Sequence, residues 1–308
     1  AISVSFMDIT LYAVSIACVN TPCRVVTALA LLPAIGLLEK LACALIKGGE
    51  EQTYADAFDR LDERFLAHPA LAVEQSRLTV EDMGKTAQSN LLSSVALLRD
   101  YSDEAFARVE SEEELVDQYE DRLGTYLMRI TERELTREEN ESVSKYLHTL
   151  SDFERISDHA MNIAEAAREI NQKKLRFTGA VEHELGVLSA AVQEILDVAS
   201  RAFFANDVEL AYRVEPLEER IDVLCDELKL HHVERLQSGE CSLENGFVFN
   251  DLLANFERVA DHSSNLAIAT IELCSDRYDT HEYVINLKEL HSHRFDEYYE
   301  EYAQKYSV

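Results

Sequence analysis

The sequence has little of what turns and disulfide frameworks require. Nine glycines and four prolines occur in 308 residues, so the turn chemistry of a β-sandwich or β-barrel is scarce. The six cysteines form no CxxC pair, and three of them lie in the apolar N-terminal stretch, which argues against disulfides or a zinc ribbon. We therefore expect long helices with few breaks, and buried thiols in a reducing compartment.

Basic residues are also few, with 29 Lys and Arg against 58 Asp and Glu and a formal net charge of -29. Such a chain repels nucleic acids, because their binding depends on Lys and Arg that neutralise phosphates. Cations, metal ions or a basic protein are the expected partners. A solvated acidic surface without a particular ligand is the alternative.

Catalytic motifs are missing from the sequence. It contains no Gly-rich phosphate loop, no GxSxG elbow and no HExxH pair, so we expect that the chain is not an enzyme. The alternative is a di-metal hydrolase within a helical bundle, which needs a water-accessible metal pair and a general base. Phosphatase turnover that disappears on Glu154→Gln would support that alternative.

The N-terminal residues are apolar. One charged residue, Asp8, occurs from Ile2 to Val19, and two occur from Val25 to Ile46. Because about 20 apolar residues cross the hydrocarbon core of a bilayer, residues 1–47 are predicted to be hydrophobic transmembrane helices that end a transmembrane module. The alternative is a pair of buried helices in a soluble domain. The start at Ala1 rather than Met favours a fragment of a longer gene product.

Amphipathic helices follow, with apolar residues at spacings of three and four. One such stripe consists of Val143, Tyr146, Leu150, Phe153, Ile156, Ala160, Ile163 and Ala167. Breaks near His68-Pro69, Asp103, Thr136, Lys173-Lys174, Asn206-Asp207, Gly239 and Asp276 divide the zone into about seven helices. Long helices with short connections predict an up-down bundle.

The sequence contains an internal repeat. Residues 153–164 read FERISDHAMNIA and residues 256–267 read FERVADHSSNLA, with seven identical positions at an offset of 103. A second echo pairs 113–123 with 218–228 at an offset of 105. Each copy holds the same two elements in the same order, which predicts two tandem three-helix bundles.

These patterns divide the chain into segments. Residues 48–68 are predicted to be a linker and short helix, 69–175 the first repeat, 176–278 the second repeat, and 279–308 an aromatic-rich C-terminal helix. We expect that helix to pack on the bundle through tyrosines spaced along one side. These are Tyr298, Tyr299, Tyr302 and Tyr306. The predicted fold class is all-α, with two tandem three-helix bundles preceded by hydrophobic helices.

Each repeated motif carries two acids four residues apart. Glu154 with Asp158, and Glu257 with Asp261, place two carboxylates on one helix face about 6 Å apart along the axis. A cation between them offsets their repulsion, and carboxylates bind hard cations or Fe, Mn and Zn in mixed sites. The alternative is a solvated acidic face that both copies inherited from one ancestor.

The basic residues of the motif have two interpretations. Arg155 and Arg258 hold the carboxylates by bidentate pairing, or they balance charge within the helix. His159 and His262 are expected to form interhelical hydrogen bonds rather than to bind metal, because neighbouring helical residues point about 100° apart. The doublet His231-His232 is expected at the surface.

The two motifs resemble the E(D)xxxD signatures of the PhoU family, in which two three-helix bundles each present a carboxylate motif associated with multinuclear metal clusters. The resemblance implies Fe, Zn, Mn or Mg at Glu154 and Asp158 and at Glu257 and Asp261. Supporting residues lie in the same motifs or on the preceding helices. They are Arg155, His159, Asn162, Arg258, His262, Asn265, Asp117, Asp121, Asp222 and Asp226.

The N-terminal zone adds a second resemblance. Residues Val19 to Ala42 resemble the end of the transmembrane module of bacterial Na/Pi cotransporter family proteins, and Leu61 to Arg77 resembles the start of their C-terminal PhoU-like domain. Asn20-Thr21 and Cys23-Arg24 stand where that family has His-Thr and Phe-Asn. This departure counts against an ion-path role for the stretch.

Together the resemblances imply the C-terminal part of a sodium-dependent phosphate transporter. Residues 48–308 would be a cytoplasmic regulatory domain at the inner membrane, and phosphate and sodium would pass through the upstream transmembrane transport module. A signalling-protein partner and a homodimer belong to the same expectation. The alternative is a free-standing PhoU-like regulator of phosphate signalling or a metal-binding regulator.

Overall fold

The computed structural model describes residues 58–275 and 294–308. The predicted transmembrane segments, residues 2–19 and 25–46, lie outside these ranges, so they stay a prediction. In the described ranges, no helix is both long enough and apolar enough to cross a membrane.

The described residues form helices and their connections, without a β-strand in these ranges. A 3-10 helix at Glu63–Ala67 precedes eight helices, which are α1 (Pro69–Leu97), α2 (Asp103–Thr131), α3 (Arg137–Lys173), α4 (Gly179–Ala205), α5 (Val208–Ala211), α6 (Val214–Ser238), α7 (Leu243–Ser275) and α8 (294–305). The all-α prediction is confirmed for this part of the chain.

Local chemistry sets the helix ends. Ser102 and Thr136 accept hydrogen bonds from backbone N–H groups of the first turns of α2 and α3, which satisfies donors that lack helical partners. Lys174, Asn206 and Gly239 end α3, α4 and α6 in the left-handed conformation, which terminates a helix. The predicted breaks near Asp103, Thr136, Lys173-Lys174, Asn206-Asp207 and Gly239 fall at these ends, whereas the break near Asp276 lies outside the described residues. The additional break between α5 and α6 was not predicted.

The helices pack as two bundles. Helices α1, α2 and α3 contact one another, as do α4, α6 and α7, and the bundles meet where α3 packs on α7 and α1 on α4. The predicted apolar stripe of α3 is buried throughout, and Phe153, Ile156 and Ala160 are inaccessible to solvent. The prediction of two tandem three-helix bundles is confirmed.

The C-terminal helix α8 packs on the second bundle. Tyr302 and Tyr306 are buried, as expected for the aromatic stripe. The guanidinium of Arg220 on α6 donates to the backbone oxygen of Tyr306 at 2.7 and 3.1 Å. Arg213 donates to the carboxylate of Glu301 at 3.0 Å. These bonds anchor the end of the chain.

The expectation that His231-His232 lies at the surface is wrong for His232, which is buried. Leu224, Leu228 and His232 recur at spacing four on the face of α6 that is buried, so they share one side of the helix. The His232 ring lies 5.0 Å from that of Phe249 on α7. Its neighbour His231 is partly exposed and lies 2.9 Å from Glu184 on α4, so the two histidines of the doublet have different environments.

Gly84 on α1 packs against two aromatic rings, Phe153 on α3 and Phe204 on α4. A Cβ at this position would lie 2.6 Å from Phe204 and 2.9 Å from Phe153, whereas at Gly124 the nearest atom would be 3.9 Å away. We expect Gly84→Ala to lower the free energy of unfolding by about 1–2 kcal/mol, because the rings must move within a packed core. The matched Gly124→Ala is expected to raise it by about 0.5–1 kcal/mol through helix propensity. Urea unfolding checks both, and equal stability of the two variants would contradict the packing argument.

Candidate metal-binding site

The first acidic cluster lies between α2 and α3. One carboxylate oxygen each of Glu113, Asp117 and Asp158 lies within 4.8 Å of the others. Burial, and then repulsion by nearby acids that include Asp158, raises the pKa values of Glu113 and Asp117. Burial first, and then repulsion from the neighbouring Asp158 and a hydrogen bond with it, raise the pKa of Glu154 to about 7. The fold concentrates negative charge here.

The second cluster occupies the corresponding place between α6 and α7. Oxygens of Glu218, Asp222 and Asp261 lie within 4.8 Å of one another. Burial and the charge of Asp222 raise the pKa of Glu218 to about 7, and burial and the charge of Glu257 raise the pKa of Asp222 to about 6. In this repeat Lys229 Nζ lies 3.1 Å from Glu257 Oε2, so one acid already has a cationic partner.

The donor set fits a divalent cation with oxygen ligands. Such ions bind carboxylates at about 2.0–2.6 Å, so ligands on opposite sides of one ion lie up to about 5 Å apart. The separations in both clusters fall within that limit. Among the described residues Asp222 Oδ1 is buried and has no hydrogen-bond partner, although a buried acceptor normally has one.

The structure places the predicted ligands unequally. Asp158 and Asp261 belong to the two clusters, together with the supporting Asp117 and Asp222. Glu154 and Glu257 lie beside them. The supporting Asp121 and Asp226 lie one turn further along α2 and α6, outside both groups, and Asp226 contacts Lys229 at 3.1 Å. Metal binding itself stays a prediction.

Two members of the clusters were not predicted as ligands. Glu113 and Glu218 each stand four residues before an aspartate, Asp117 or Asp222, so these pairs share a helix face. The same spacing occurs in both repeats. This duplicated pair of acids was the signal that could have identified them.

The arginines of the motif contact acids of their own helix. Arg155 lies 3.4 Å from both Glu154 and Asp158, and Arg258 lies 3.3 Å from Asp261. Both arginines are exposed. These long contacts with single oxygens favour charge balance within the helix over a bidentate clamp.

The histidines of the motif lie at the interface between the repeats, where they form the interhelical hydrogen bonds that were expected. His159 Nδ1 lies 2.9 Å from Asn255 Oδ1, and His262 Nδ1 lies 3.0 Å from Asp152 Oδ1. The two rings stack with centroids 5.8 Å apart. Burial is the first cause of a lowered pKa at His159. Asp152 and Asn255 stand at equivalent positions of the two repeats, so each motif histidine contacts the other repeat at the same place.

The supporting asparagines have different environments. Asn265 Nδ2 donates to Asp152 Oδ1 at 2.8 Å, so it strengthens the α3–α7 interface. Asn162 is exposed and lines a surface cavity with Asp251 and Asn255. Neither asparagine belongs to a carboxylate cluster.

Tandem three-helix bundles with an acidic cluster between the second and third long helices define a class of helical repeat proteins with candidate cation sites. The PhoU domain matches residues 80–167 and 185–270, more than half of the chain. The chain therefore belongs to the PhoU domain family. The resemblance to this family is confirmed, whereas no comparison supports the Na/Pi cotransporter context.

Sequence relatives have the same assignment. A phosphate-specific transport system accessory protein PhoU homolog 1 of Thermotoga maritima is 32% identical over 116 residues, 38% of this chain and 49% of the relative. The chain thus spans about half the length of that relative. A PhoU homolog of Xylella fastidiosa is 26% identical over 201 residues, 63% of this chain and 82% of the relative.

Solved structures show the same fold. The crystal structure of PhoU from Pseudomonas aeruginosa aligns with a TM-score of 0.62 and 22% identity, over 69% of this chain and 99% of that one. The phosphate transport system regulatory protein PhoU from Streptococcus pneumoniae aligns with a TM-score of 0.57 and 18% identity, over 65% and 92%.

Proposed function

We propose that this chain is a regulatory accessory protein of phosphate transport, and that its acidic clusters bind divalent cations. The observation that carries the cation sites is the placement of three carboxylates at corresponding positions in both repeats. The similarity to accessory proteins of a phosphate-specific transport system supports the transport role.

The donor chemistry favours Mg, Mn or Fe among the predicted metals. The clusters consist of carboxylates, and carboxylate oxygens prefer hard cations, whereas Zn usually takes His or Cys ligands as well. A bound cation would neutralise part of the negative charge of the clustered carboxylates. Since Lys229 contacts both Glu257 and Asp226, the second cluster should bind its cation less tightly than the first.

The transporter connection belongs to the same proposal. The apolar residues 2–19 and 25–46 support attachment to an upstream transmembrane module that carries phosphate and sodium, with residues 48–308 in the cytoplasm at the inner membrane. A free-standing PhoU-like regulator fits the relatives at least as well. Size-exclusion chromatography separates the two, because a free-standing regulator stays monodisperse without detergent. In neither arrangement does the proposal require enzymatic activity, a signalling partner or a homodimer.

Elemental analysis tests the cation sites. The full chain, purified without a metal-affinity tag, is expected to contain divalent metal in both repeats, and Asp158→Asn/Asp261→Asn to lose most of it, because each substitution removes one of three clustered carboxylates. The matched control Asp121→Asn/Asp226→Asn removes the same charge outside the clusters and should retain the metal.

The result that contradicts the cation sites is equal metal content in the two variants. The regulatory role is measured separately, as phosphate uptake by cells that carry either variant. Uptake that stays unchanged in Asp158→Asn/Asp261→Asn despite metal loss would show that the cations do not regulate transport.

A further inference from the structure

A cleft with a basic rim lies where the two repeats are joined. Its walls are the end of α1, the end of α3 with the following connection, and the first turns of α4. Its volume is about 640 Å³, within the range of about 300–1,000 Å³ that is usual for small-molecule sites. A smaller cavity of about 350 Å³ shares Arg99 and Arg176 with it. We refer to the two together as the junction cleft.

The rim of the junction cleft is cationic in a chain with a net charge of -29. Arg99, Arg176 and His183 line the larger cavity, and Lys174 lines the smaller one. Arg99 Nη2 lies 3.6 Å from the place that a Cβ on Gly186 would occupy, so its guanidinium reaches across to α4, one turn from His183. The rim therefore converges on α4 from two sides.

Within the part of the chain that the structure describes, the Lys and Arg side chains of the rim have no carboxylate partners. Most Lys and Arg side chains of the described residues form ion pairs, whereas Arg99, Lys174 and Arg176 form none within that part of the chain. Glu182 also lines the cleft but pairs with none of them. The chain is strongly acidic, yet these basic side chains line one cavity without acidic partners among the described residues. Their charge therefore favours the binding of an external anion in that cavity.

Stabilisation of helix ends explains the positions of only some of these basic residues. Arg99 and Lys174 follow the C-terminal ends of α1 and α3, where a cation stabilises the helix dipole. Arg176 instead lies just before the N-terminal end of α4, where the dipole disfavours a cation and favours an anion. An anion at this end would satisfy both the helix and the basic side chains.

The floor of the cleft is apolar. Leu98, Ile170, Leu175 and Phe177 line it as partly buried side chains that pack on the core. Inorganic phosphate alone would leave this surface in contact with water. A ligand with a flat apolar part would cover it and gain about 25 cal/mol for each Å² of apolar surface buried.

We propose that the junction cleft binds a phosphorylated small molecule with an apolar body, the class that includes the nucleoside phosphates. Arg99, Arg176 and His183 bind the phosphoryl group, and the apolar floor contacts the body. The site shares no lining residue with either cation cluster, and Asp158 lies twelve residues before Ile170 on α3, about 18 Å along the helix axis. The inference does not depend on the proposed cation binding.

Isothermal titration calorimetry of the chelator-treated full chain tests this site, with AMP, adenosine and inorganic phosphate as probes. AMP is expected to bind saturably, and adenosine and phosphate at least about tenfold more weakly, because each lacks half of the contacts. Arg99→Ala/Arg176→Ala should weaken AMP binding by about tenfold or more, since hydrogen bonds to charged groups contribute this much. Both arginines are exposed and form no ion pair in the described residues, so the variant should fold normally.

The matched control is Arg108→Ala/Arg133→Ala, which removes the same charge from exposed positions on and after α2 and should leave AMP affinity unchanged. Three outcomes would overturn the proposal. They are no saturable AMP binding, equal affinity in the two double variants, and inorganic phosphate that binds as tightly as AMP.

Discussion

Arg235→Met is expected to lower the free energy of unfolding by about 3 kcal/mol. Arg235 donates two hydrogen bonds to the Glu184 carboxylate, at 2.9 and 2.8 Å. The two side chains are only 11% and 8% exposed, so the pair is buried between α6 and α4. Methionine would leave the carboxylate buried, with only the partly exposed His231 beside it, 2.9 Å from Glu184 Oε1. An uncompensated buried charge is costly.

A double-mutant cycle separates the cost of an unpaired charge from lost packing. Glu184→Leu should also destabilise the chain, whereas Glu184→Leu/Arg235→Met should be more stable than either single variant, because apolar side chains replace the whole pair. Denaturant unfolding of the four proteins measures the coupling. Arg201→Met is the control for an exposed ion pair, 3.3 Å from Asp197, and should change stability by less than about 0.5 kcal/mol. Simple additivity of the single effects would contradict the argument.

This pair shows what sequence patterns miss. Glu184 and Arg235 stand 51 residues apart, and each has the polarity of a surface residue. The rotation of α6 against α4 brings them together, and periodicity along one helix does not report that rotation. His232 is a different case, because it follows Leu224 and Leu228 at spacing four, so periodicity along α6 could have identified it as buried.

Features that depend on neighbouring residues were predictable. The stripe of α3 follows from apolar spacing, and the helix ends follow from capping residues such as Ser102 and Thr136. The tandem bundles follow from the repeat of residues 153–164 at 256–267. These features depend on local backbone chemistry and on the residues along one helix face, and both can be read from the sequence alone.

The candidate site was predictable in part. The spacing of Glu154 and Asp158 identified the correct face of α3, but the cluster is completed by Glu113 and Asp117 on α2. Which carboxylate of each pair points toward the other helix depends on the register between α2 and α3. That register is a property of packing, so the sequence predicted Asp158 as a ligand and Asp117 as a supporting residue but did not identify Glu113.

The metal-free chain is expected to lose stability as the pH rises from 5 to 8. The pKa values of Glu154 and Glu218 are raised from 4.5 to about 7, and that of Asp222 from 3.8 to about 6. In each case burial is the first cause and neighbouring acids are the second. Over this range the folded state binds protons that the unfolded state has released, so the free energy of unfolding falls with rising pH. After a discount for the solvent screening of partly exposed groups, we expect a loss of about 3 kcal/mol in total.

Two histidines oppose this trend. Burial lowers the pKa values of His159 and His232, so the folded state resists their protonation, and these residues contribute stability that is lost as the pH falls. Comparison of the parent with Glu154→Gln/Glu218→Gln/Asp222→Asn cancels the histidines, which both proteins share. The variant should lose less stability between pH 5 and pH 8 and should be the more stable protein at pH 8, because its clusters carry fewer charges.

Thermal unfolding at both pH values, after treatment with chelator, measures the difference. Glu114→Gln/Glu219→Gln/Asp226→Asn is the matched control, since it removes three exposed acids from α2 and α6 and should keep the parent's pH dependence. Added Mn²⁺ should raise the melting temperature of the parent at pH 8 more than that of the cluster variant, because an ion that binds only the folded state stabilises it. If the parent and the cluster variant showed the same pH dependence and the same response to Mn²⁺, the clustered acids would be solvated charges rather than coupled carboxylates that favour a cation.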